Sequence, residues 1–484
     1  MDAVFASLDR TESTLGQQAL YHRLRSAPAA DHADAFEALV TRLVGDEALR
    51  GRVRRVLVRL QHPYGYDLWW LAQPDAIQTR PWHVIFTCIS ALAVASMWAI
   101  PFWHGAVLLL IGIGVINLLM RITTSRRIAP LAGPFRQLSA LIAAGDALRE
   151  LQGADIDPLV ACLRDDVPPL RRLRRIAFWV GRDSMAVGEQ ANSFFEYLNL
   201  FFLLDATTMF FGARELRAHG AALLRVIGAV GDVDAAMSVA SLRADLQEGA
   251  TWARPRVLPS GSPTTFAEMQ HPLIDTARAV PNSIALAPGR GVLITGSNMS
   301  GKSTFLRTIG VNTVLAQTIN TCFASRYEAP VFHVRSCIGR ADDLLAGKSY
   351  YIAEVEAVLA LVRASESASP HLFLFDELFR GTNATERIAA AESVLRELID
   401  HARPHAIVTS THDAELVDLL RDTHDAYHFP DTLSPDGLVF TYRLEPGPSP
   451  TRNAIALLQL HGAPPALIER ALRRAEALDQ RMRE

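Results

Sequence analysis

The 484-residue chain has four cysteines, Cys88, Cys162, Cys322 and Cys337, and none stands in a CxxC pair or at zinc spacing from histidines. A disulfide framework and a zinc ribbon are therefore excluded, and the expectation is reduced thiols in buried positions. Neither sign of charge is in excess: the formal net charge is -3, so a basic surface for nucleic acid would have to be local. The first ten residues hold Asp2 and Asp9 and no basic run leading into an apolar one, so no secretory signal is expected there. With 49% apolar and 20% charged residues, disordered and fibrous classes are excluded, and the length suggests several domains.

One absence is local. From Pro81 to Met120 there is no Asp, Glu, Lys or Arg. A bilayer core of about 30 Å takes ~20 apolar residues per helix, so this stretch predicts a transmembrane hairpin, Trp82 to Ile100 and Gly105 to Met120, broken near Pro101. Arg80 precedes it and Arg121, Arg126 and Arg127 follow it. The positive-inside rule then puts both termini in the cytoplasm and the chain in the inner, cytoplasmic membrane. The alternative weighed for the stretch is a helical hairpin buried in a large core.

Around the hairpin, residues 1–80 and 121–252 read as helical, with apolar residues at three- and four-residue steps and stops at Pro130, Pro134 and Pro168-Pro169. Phe194 to Phe211 reads as a core helix pair. From about Trp252 short β-like runs alternate with helices, the pattern of an α/β domain over 253–452. Two arginine clusters, Arg50, Arg52, Arg54, Arg55 and Arg59, and Arg171, Arg172, Arg174 and Arg175, suit a solvated helix face first, then a membrane surface, then DNA phosphates.

The chemistry lies in the α/β part. The apolar run Gly291 to Thr295 leads into Gly296-Ser297-Asn298-Met299-Ser300-Gly301-Lys302-Ser303-Thr304, a GxxxxGK[ST] P-loop followed by helical periodicity. Its glycines let backbone N–H groups close around phosphate, Lys302 faces the β- and γ-phosphates, and Ser303 offers a hydroxyl to Mg2+. A second run, Leu372 to Phe375, ends in Asp376-Glu377, where an α/β sheet carries its ligand groups. Asp376 is the expected second metal residue and Glu377 the group that orients or deprotonates the attacking water. A third run, Ala406 to Thr409, delivers His412, a candidate γ-phosphate sensor. The reading is a magnesium-dependent ATPase with ATP as its substrate.

The order GSNMSGKSTFLRTIG, IGRADDLLAGKSYYIAEV, LFLFDELFRGTNATE and TSTHDAEL resembles the MutS family of mismatch-repair ATPases, whose P-loop typically reads TGPNMGGKST. Similarity extends to His271-Pro272-Leu273-Ile274 and Val280-Pro281-Asn282 upstream, and to Asn453 to Ala456 and Gly462 to Pro464 downstream. It reaches back to Leu8-Asp9-Arg10-Thr11 and Leu15-Gly16. The resemblance implies an all-α core with the transmembrane hairpin inserted, then an ABC/MutS-like ATPase domain, then a C-terminal helix-turn-helix over 453–484. It implies a nucleotide-switched homodimer in which Ser349 reaches the partner's nucleotide, supported by Asp342 and Asp343, and in which Asn298 contacts the γ-phosphate. DNA is the implied partner, with mismatch repair the implied setting.

The sequence also departs from the family. Ala279 stands where the family has its adenine-stacking aromatic, leaving that task to a ring such as Tyr442, and Glu386 replaces an aspartate. The family's mismatch-reading domain has no counterpart in this stretch of sequence. The alternative function is a membrane ATPase of transporter or scaffold type without DNA binding. Two crossings make a poor pore, and no LSGGQ-like segment precedes Asp376.

Overall fold

The computed structural model describes residues 1–26, 30–73, 84–179, 204–246, 251–339, 350–367, 369–400, 404–434, 437–449 and 454–483. They divide into two compact units, Leu8–Asp245 and Met1–Ser7 with Leu246–Glu484. All four cysteines are free; Cys322 and Cys337 are buried, whereas Cys88 is exposed.

The Leu8–Asp245 unit is helical among its described residues. Each helix follows from local chemistry. Ser13 caps Thr14–Arg25 by accepting the Gly16 N–H, and Asp46 caps Glu47–Leu57 by accepting that of Leu49. Leu49, Val53 and Leu57, spaced by four, bury one stripe of the second helix, while Arg52, Arg54 and Arg55 stay exposed. The arginine clusters are partly neutralised: Arg54 pairs with Glu12 at 2.7 Å, Arg171 with Asp146 at 3.0 Å and Arg172 with Glu215 at 3.2 Å.

The prolines do not stop the helices as expected. Asp157–Trp179 runs through Pro168 and Pro169, and Gly105–Leu148 through Pro130 and Pro134. In the first case Val167, Leu170 and Leu173 are fully buried, and packing on that scale outweighs the ~3 kcal/mol local penalty of an interior proline. The long helix Leu204–Leu246 instead breaks its dihedrals at His219. Residues 194–203, most of the expected helix pair, lie outside the described residues.

The transmembrane hairpin is corrected. Among the described residues no helix is long and apolar enough to cross a membrane. The uncharged stretch folds as Val84–Ala99 and the opening of Gly105–Leu148. Val84–Ala99 has 16 residues, about 24 Å at ~1.5 Å per residue, against a bilayer core of about 30 Å. The second helix meets Arg121, Arg126 and Arg127 soon after its apolar opening. Ala93, Ala106 and Ile113 are buried, while Trp98, Phe102 and Leu108 point outward. The break falls near Pro101 as expected, but the described helix before it, Val84–Ala99, is shorter than the Trp82 to Ile100 span read from the sequence.

The other unit is α/β. Its strands are β1 (Arg256–Val257), β2 (Thr264–Met269), β3 (Asn282–Leu286), β4 (Gly291–Thr295), β5 (Arg326–Ala329), β6 (His333–Cys337), β7 (His371–Asp376), β8 (Ala406–Ser410), β9 (His424–His428), β10 (Asp431–Ser434), β11 (Gly437–Phe440) and β12 (Glu445–Pro446). A six-stranded sheet has the order β12-β9-β4-β8-β7-β6, parallel from β6 to β9 with β12 antiparallel at the edge. A four-stranded sheet, β1-β5-β2-β3, and the β10-β11 hairpin complete it.

The central strands are buried on both sides, as parallel strands covered by helices must be. Leu372 and Leu374 join Val292, Ile294 and Val408 in one core with Leu306 and Ile309 of the helix Lys302–Ile319. Phe373 and Phe375 face the opposite core with Leu293, Ile407 and Leu395. Two C-terminal helices, Ala454–Leu460 and Pro465–Arg483, follow the sheet.

In the helical unit, Asp234 is fully buried. It accepts from Glu12 N at 3.0 Å, from Ser13 N at 2.7 Å and from Ser13 Oγ at 2.5 Å. A Cβ on Gly16 would lie 2.1 Å from its carboxylate. Gly16→Ala is therefore expected to destabilise the helical unit by ~1–3 kcal/mol through overpacking, read as a lower urea midpoint of helical circular dichroism for the full chain. Burial also pushes the Asp234 carboxyl up to about 6. Its proton is held more tightly folded than unfolded, so this group's contribution to stability falls as pH rises from about 4 to about 6.

Candidate functional site

The site grows from one backbone ladder. Ile294 of β4 is in register with Ser410 of β8, and Ser410 with Asp376 of β7. The ladder continues past the strand ends: Glu377 N donates to Ser410 O at 3.1 Å and Thr411 N to Ile294 O at 3.0 Å. The C-terminal ends of three neighbouring strands thus deliver the Gly296–Thr304 loop, Asp376-Glu377 and His412 to one edge, where an open α/β sheet binds ligands.

The loop is shaped by left-handed residues. Gly296 has φ 142°, Met299 φ 71° and Gly301 φ 110°. A Cβ at Gly296 would stand 3.0 Å from the Phe429 carbonyl oxygen, so this glycine is required by both dihedral and space. Lys302 begins the helix Lys302–Ile319 and is buried. Its Nζ donates to Gly296 O at 2.8 Å and Ser297 O at 2.9 Å. Burial lowers the Lys302 pKa, against the pull of Glu377 and Asp376.

A cavity of about 390 Å³ opens over the loop, lined by Asn298, Met299, Gly301, Lys302, Ser303, Thr304 and Glu377. His271, Ala279 and Tyr442 line it as well. The Tyr442 ring lies against the loop, with Cδ1 3.4 Å from where a Gly301 Cβ would be. Asn282 holds that ring's segment, donating to Tyr442 O at 2.9 Å and accepting from Leu444 N at 2.7 Å. Three of the six non-glycine residues at positive φ among the described residues, Met299, Glu377 and Tyr442, line this one cavity, and such strain gathers where a site needs a fixed geometry.

The remaining candidates are placed as follows. Gly296, Ser297 and Ser300 do not line the cavity, and the buried Ser297 and Ser300 hydroxyls have no hydrogen-bond partner among the described residues. Asp376 accepts from Ser410 Oγ at 2.5 Å. Glu377 Oε1 is 2.6 Å from His412 Nε2 and its Oε2 2.9 Å from Arg380 Nε. The His412 contact, then the charges of His412, Arg380 and Lys302, hold the Glu377 carboxyl below the usual range despite burial. The ionised carboxylate only accepts, so His412 carries its proton on Nε2. Lys302 Nζ lies 3.3 Å from the same nitrogen, and with donor facing donor that approach is a contact rather than a hydrogen bond. Ser349, Asp342 and Asp343 lie outside the described residues.

Sequence reasoning missed the residues that hold these groups. Glu354, on the helix Tyr350–Ser365, is buried and accepts the Phe379 N–H at 2.7 Å, fixing a turn whose Phe379 has φ 58°. Arg387 grips Asp413 with two bonds, 3.0 and 2.6 Å, and so steadies the segment after His412. Glu386, at the family's aspartate position, bonds Thr382 at 3.1 Å in the first turn of Ala384–Asp400. The only prior signal was that Glu354 falls inside the quoted IAEV string and Ser410 ends a predicted strand.

Among the described residues no three His, Cys, Asp or Glu side chains gather as a ready-made metal site. What the edge offers is a glycine-containing loop with the Ser303 and Thr304 hydroxyls and one lysine, beside two adjacent carboxylates, an arrangement suited to polyphosphate. This defines an α/β nucleotide-binding domain of the strand, P-loop and helix type. The comparisons narrow the class. Residues 292–479 match the family model for MutS domain V. It is 33% identical over 269 residues to the DNA mismatch repair protein MutS of Listeria monocytogenes serotype 4a, covering 53% of this chain and 30% of the relative. The same named protein of Streptococcus pyogenes serotype M5 is 34% identical over 221 residues, 43% of this chain and 25% of the relative. The chain thus spans under a third of the length of these relatives.

Glu354→Ala should lower the stability of the α/β unit by ~1–3 kcal/mol, the cost of a buried N–H left without its acceptor, whereas Glu354→Gln should recover most of it. Urea unfolding of the two variants beside the parent measures the difference.

Proposed function

We propose that the chain binds ATP with magnesium over the Gly296–Thr304 loop, hydrolyses it, and works as a nucleotide-switched dimer in a DNA-repair assembly. The convergence of the P-loop, Asp376-Glu377 and His412 on one sheet edge carries the reading. The triphosphate takes the loop N–H groups and Lys302 Nζ, and the cavity's Tyr442 side offers a ring for the base in place of the aromatic that Ala279 lacks. Asn298 lies at the γ-phosphate end.

Magnesium is compatible with the residues present. It prefers substrate phosphates, water and one or two protein oxygens to an all-protein cage, and Ser303 and Asp376 would hold it. Held there, it would supply positive charge to neutralise the phosphates. In the reaction a water oxygen attacks the γ-phosphorus while the bond to the β–γ bridging oxygen breaks. Glu377 takes the water's proton, and ADP and phosphate leave. His412, bonded to Glu377, orients that carboxylate beside the γ-phosphate.

Partners are inferred from the relatives, whose names assign them to DNA mismatch repair. Duplex DNA is the partner we propose, and ATPase stimulation by DNA across a salt titration is the direct check. No stimulation at any salt would remove DNA from the reading.

Lys302→Ala should abolish ATP binding, because the cation facing the phosphates is gone. Glu377→Gln should bind ATP as the parent does yet hydrolyse it ~100- to 10,000-fold more slowly, the range for a lost general base. Equilibrium binding and single-turnover rates measure both, and parental single-turnover rates in Glu377→Gln would move the base elsewhere.

Ser349 is proposed to serve the partner's nucleotide. In mixed dimers with Lys302→Ala in one subunit and Ser349→Ala in the other, both lesions then fall on one composite site, and about half the activity should survive if the sites are independent. Mixed dimers no more active than the average of the single mutants would sink the composite site.

A further inference from the structure

The helical hairpin carries an apolar surface that its own packing leaves in water. Val84–Ala99 lies against the helix Gly105–Leu148, and the buried positions along this stretch are mostly small: Ala93, Ser96, Ala106 and Gly114, with Ile113 and Asn117. Small side chains at a contact bring helix axes close, and the large ones are left outside. On the second helix they form a stripe. Leu108 is 75% exposed, Ile111 57%, Val115 55% and Leu118 47%. Their steps of three, four and three residues are those of a heptad seam. The buried positions Ala106, Ile113 and Asn117, spaced by seven and four, lie on the far side of the same helix.

The surface is large for a chain on its own. Sixteen large apolar side chains between Ile85 and Leu119 are exposed, Trp98, Phe102 and Trp103 at the turn among them. Half-exposed on average, side chains of this size leave on the order of 1,000 Å² of apolar surface in water, against ~300–600 Å² for the largest patch of a typical monomer. An interface of standard size takes about 800 Å² from each partner, which this surface supplies.

Its chemistry selects the occupant. From Pro81 to Met120 there is no Asp, Glu, Lys or Arg, so the face offers nothing to a charged partner. It also lacks the basic side by which a helix lies on anionic headgroups. A second copy of the same face meets it without repulsion between like charges, and a seam that matches itself is what a two-fold dimer requires.

We propose that this face is a self-association surface: two copies of the chain pair through the seam Leu108, Ile111, Val115 and Leu118, in a contact that needs no nucleotide. It is independent of the ATP reading above, which concerns the other unit.

Sedimentation velocity of the full chain without nucleotide, over a hundredfold range of concentration, tests it. The parent should sediment as a dimer. Ile111→Ala combined with Val115→Ala keeps the helix and should raise the dimer Kd ~10- to 100-fold, the scale of truncating side chains at the centre of an interface. Ile111→Lys with Val115→Lys, and Ile111→Glu with Val115→Glu, should each be monomeric, because like charges then meet across the seam. Mixed in equal amounts, the lysine and glutamate variants should dimerise again, since opposite charges face each other whichever way the helices run. That recovery also shows both variants to be folded.

A monomeric parent overturns the proposal, as does a parent dimer that all three pairs of substitutions leave unchanged, because the contact then lies elsewhere. If the charged variants stay monomeric when mixed, the alanine variant decides: a Kd equal to the parent's overturns the seam, and a raised one upholds it. A parent that floats with vesicles of phosphatidylcholine and phosphatidylglycerol, instead of sedimenting as a dimer, makes lipid the occupant and overturns the proposal too. ATP binding and turnover are read separately, so none of these outcomes decides the ATP reading.

Discussion

The α/β half depends on the register of three parallel strands. Because Ile294, Ser410 and Asp376 are aligned across β4, β8 and β7, the loops that follow them leave the sheet at one level. A one-residue slip of β7 would exchange its two buried faces, driving Phe373 and Phe375 into the core built for Leu372 and Leu374. It would also carry Asp376 away from Ser410. Packing on both sides of the sheet therefore locates the carboxylates as firmly as any bond within the site does.

Onto this rigid edge the protein builds a small number of strained and charged contacts. Lys302 is buried with its ammonium on loop carbonyls, which is tolerable only because two acidic residues lie near it. Glu377 is balanced among His412, Arg380 and Lys302. Pairs and triads of this kind stabilise the fold little, since burial offsets the attraction, but they hold charges at set positions for chemistry. The division of labour is consistent: apolar strands give placement, and paired charges give reactivity.

The helical half is organised on a different constraint. Asp234 draws the start of Thr14–Arg25 onto the long helix Leu204–Leu246, and Gly16 permits the close approach. Arg243 with Glu37 and Arg225 with Asp166 add further bidentate clasps. These are long-range pairings between helices, and no local pattern announces them.

Much of the α/β half was legible in sequence, because its signals are local. The apolar runs at Gly291, Leu372 and Ala406 are strands in the structure, and the P-loop string carries its own backbone requirement in Gly296 and Gly301. What sequence could not supply was which distant groups meet. The Glu377 contact with His412, the Glu354 bond to Phe379 and the Arg387 grip on Asp413 need the tertiary fold before they exist. The uncharged stretch 81–120 misled for a related reason: the absence of charge along a sequence does not give the length of the helix it forms, and the described helix Val84–Ala99 has 16 residues. Prolines 168 and 169 misled likewise, since their local cost is outweighed by burial of Val167, Leu170 and Leu173. Local dihedral and period preferences thus determined the elements and the phosphate loop, while burial and strand order, which act between residues far apart in sequence, decided which charges face one another.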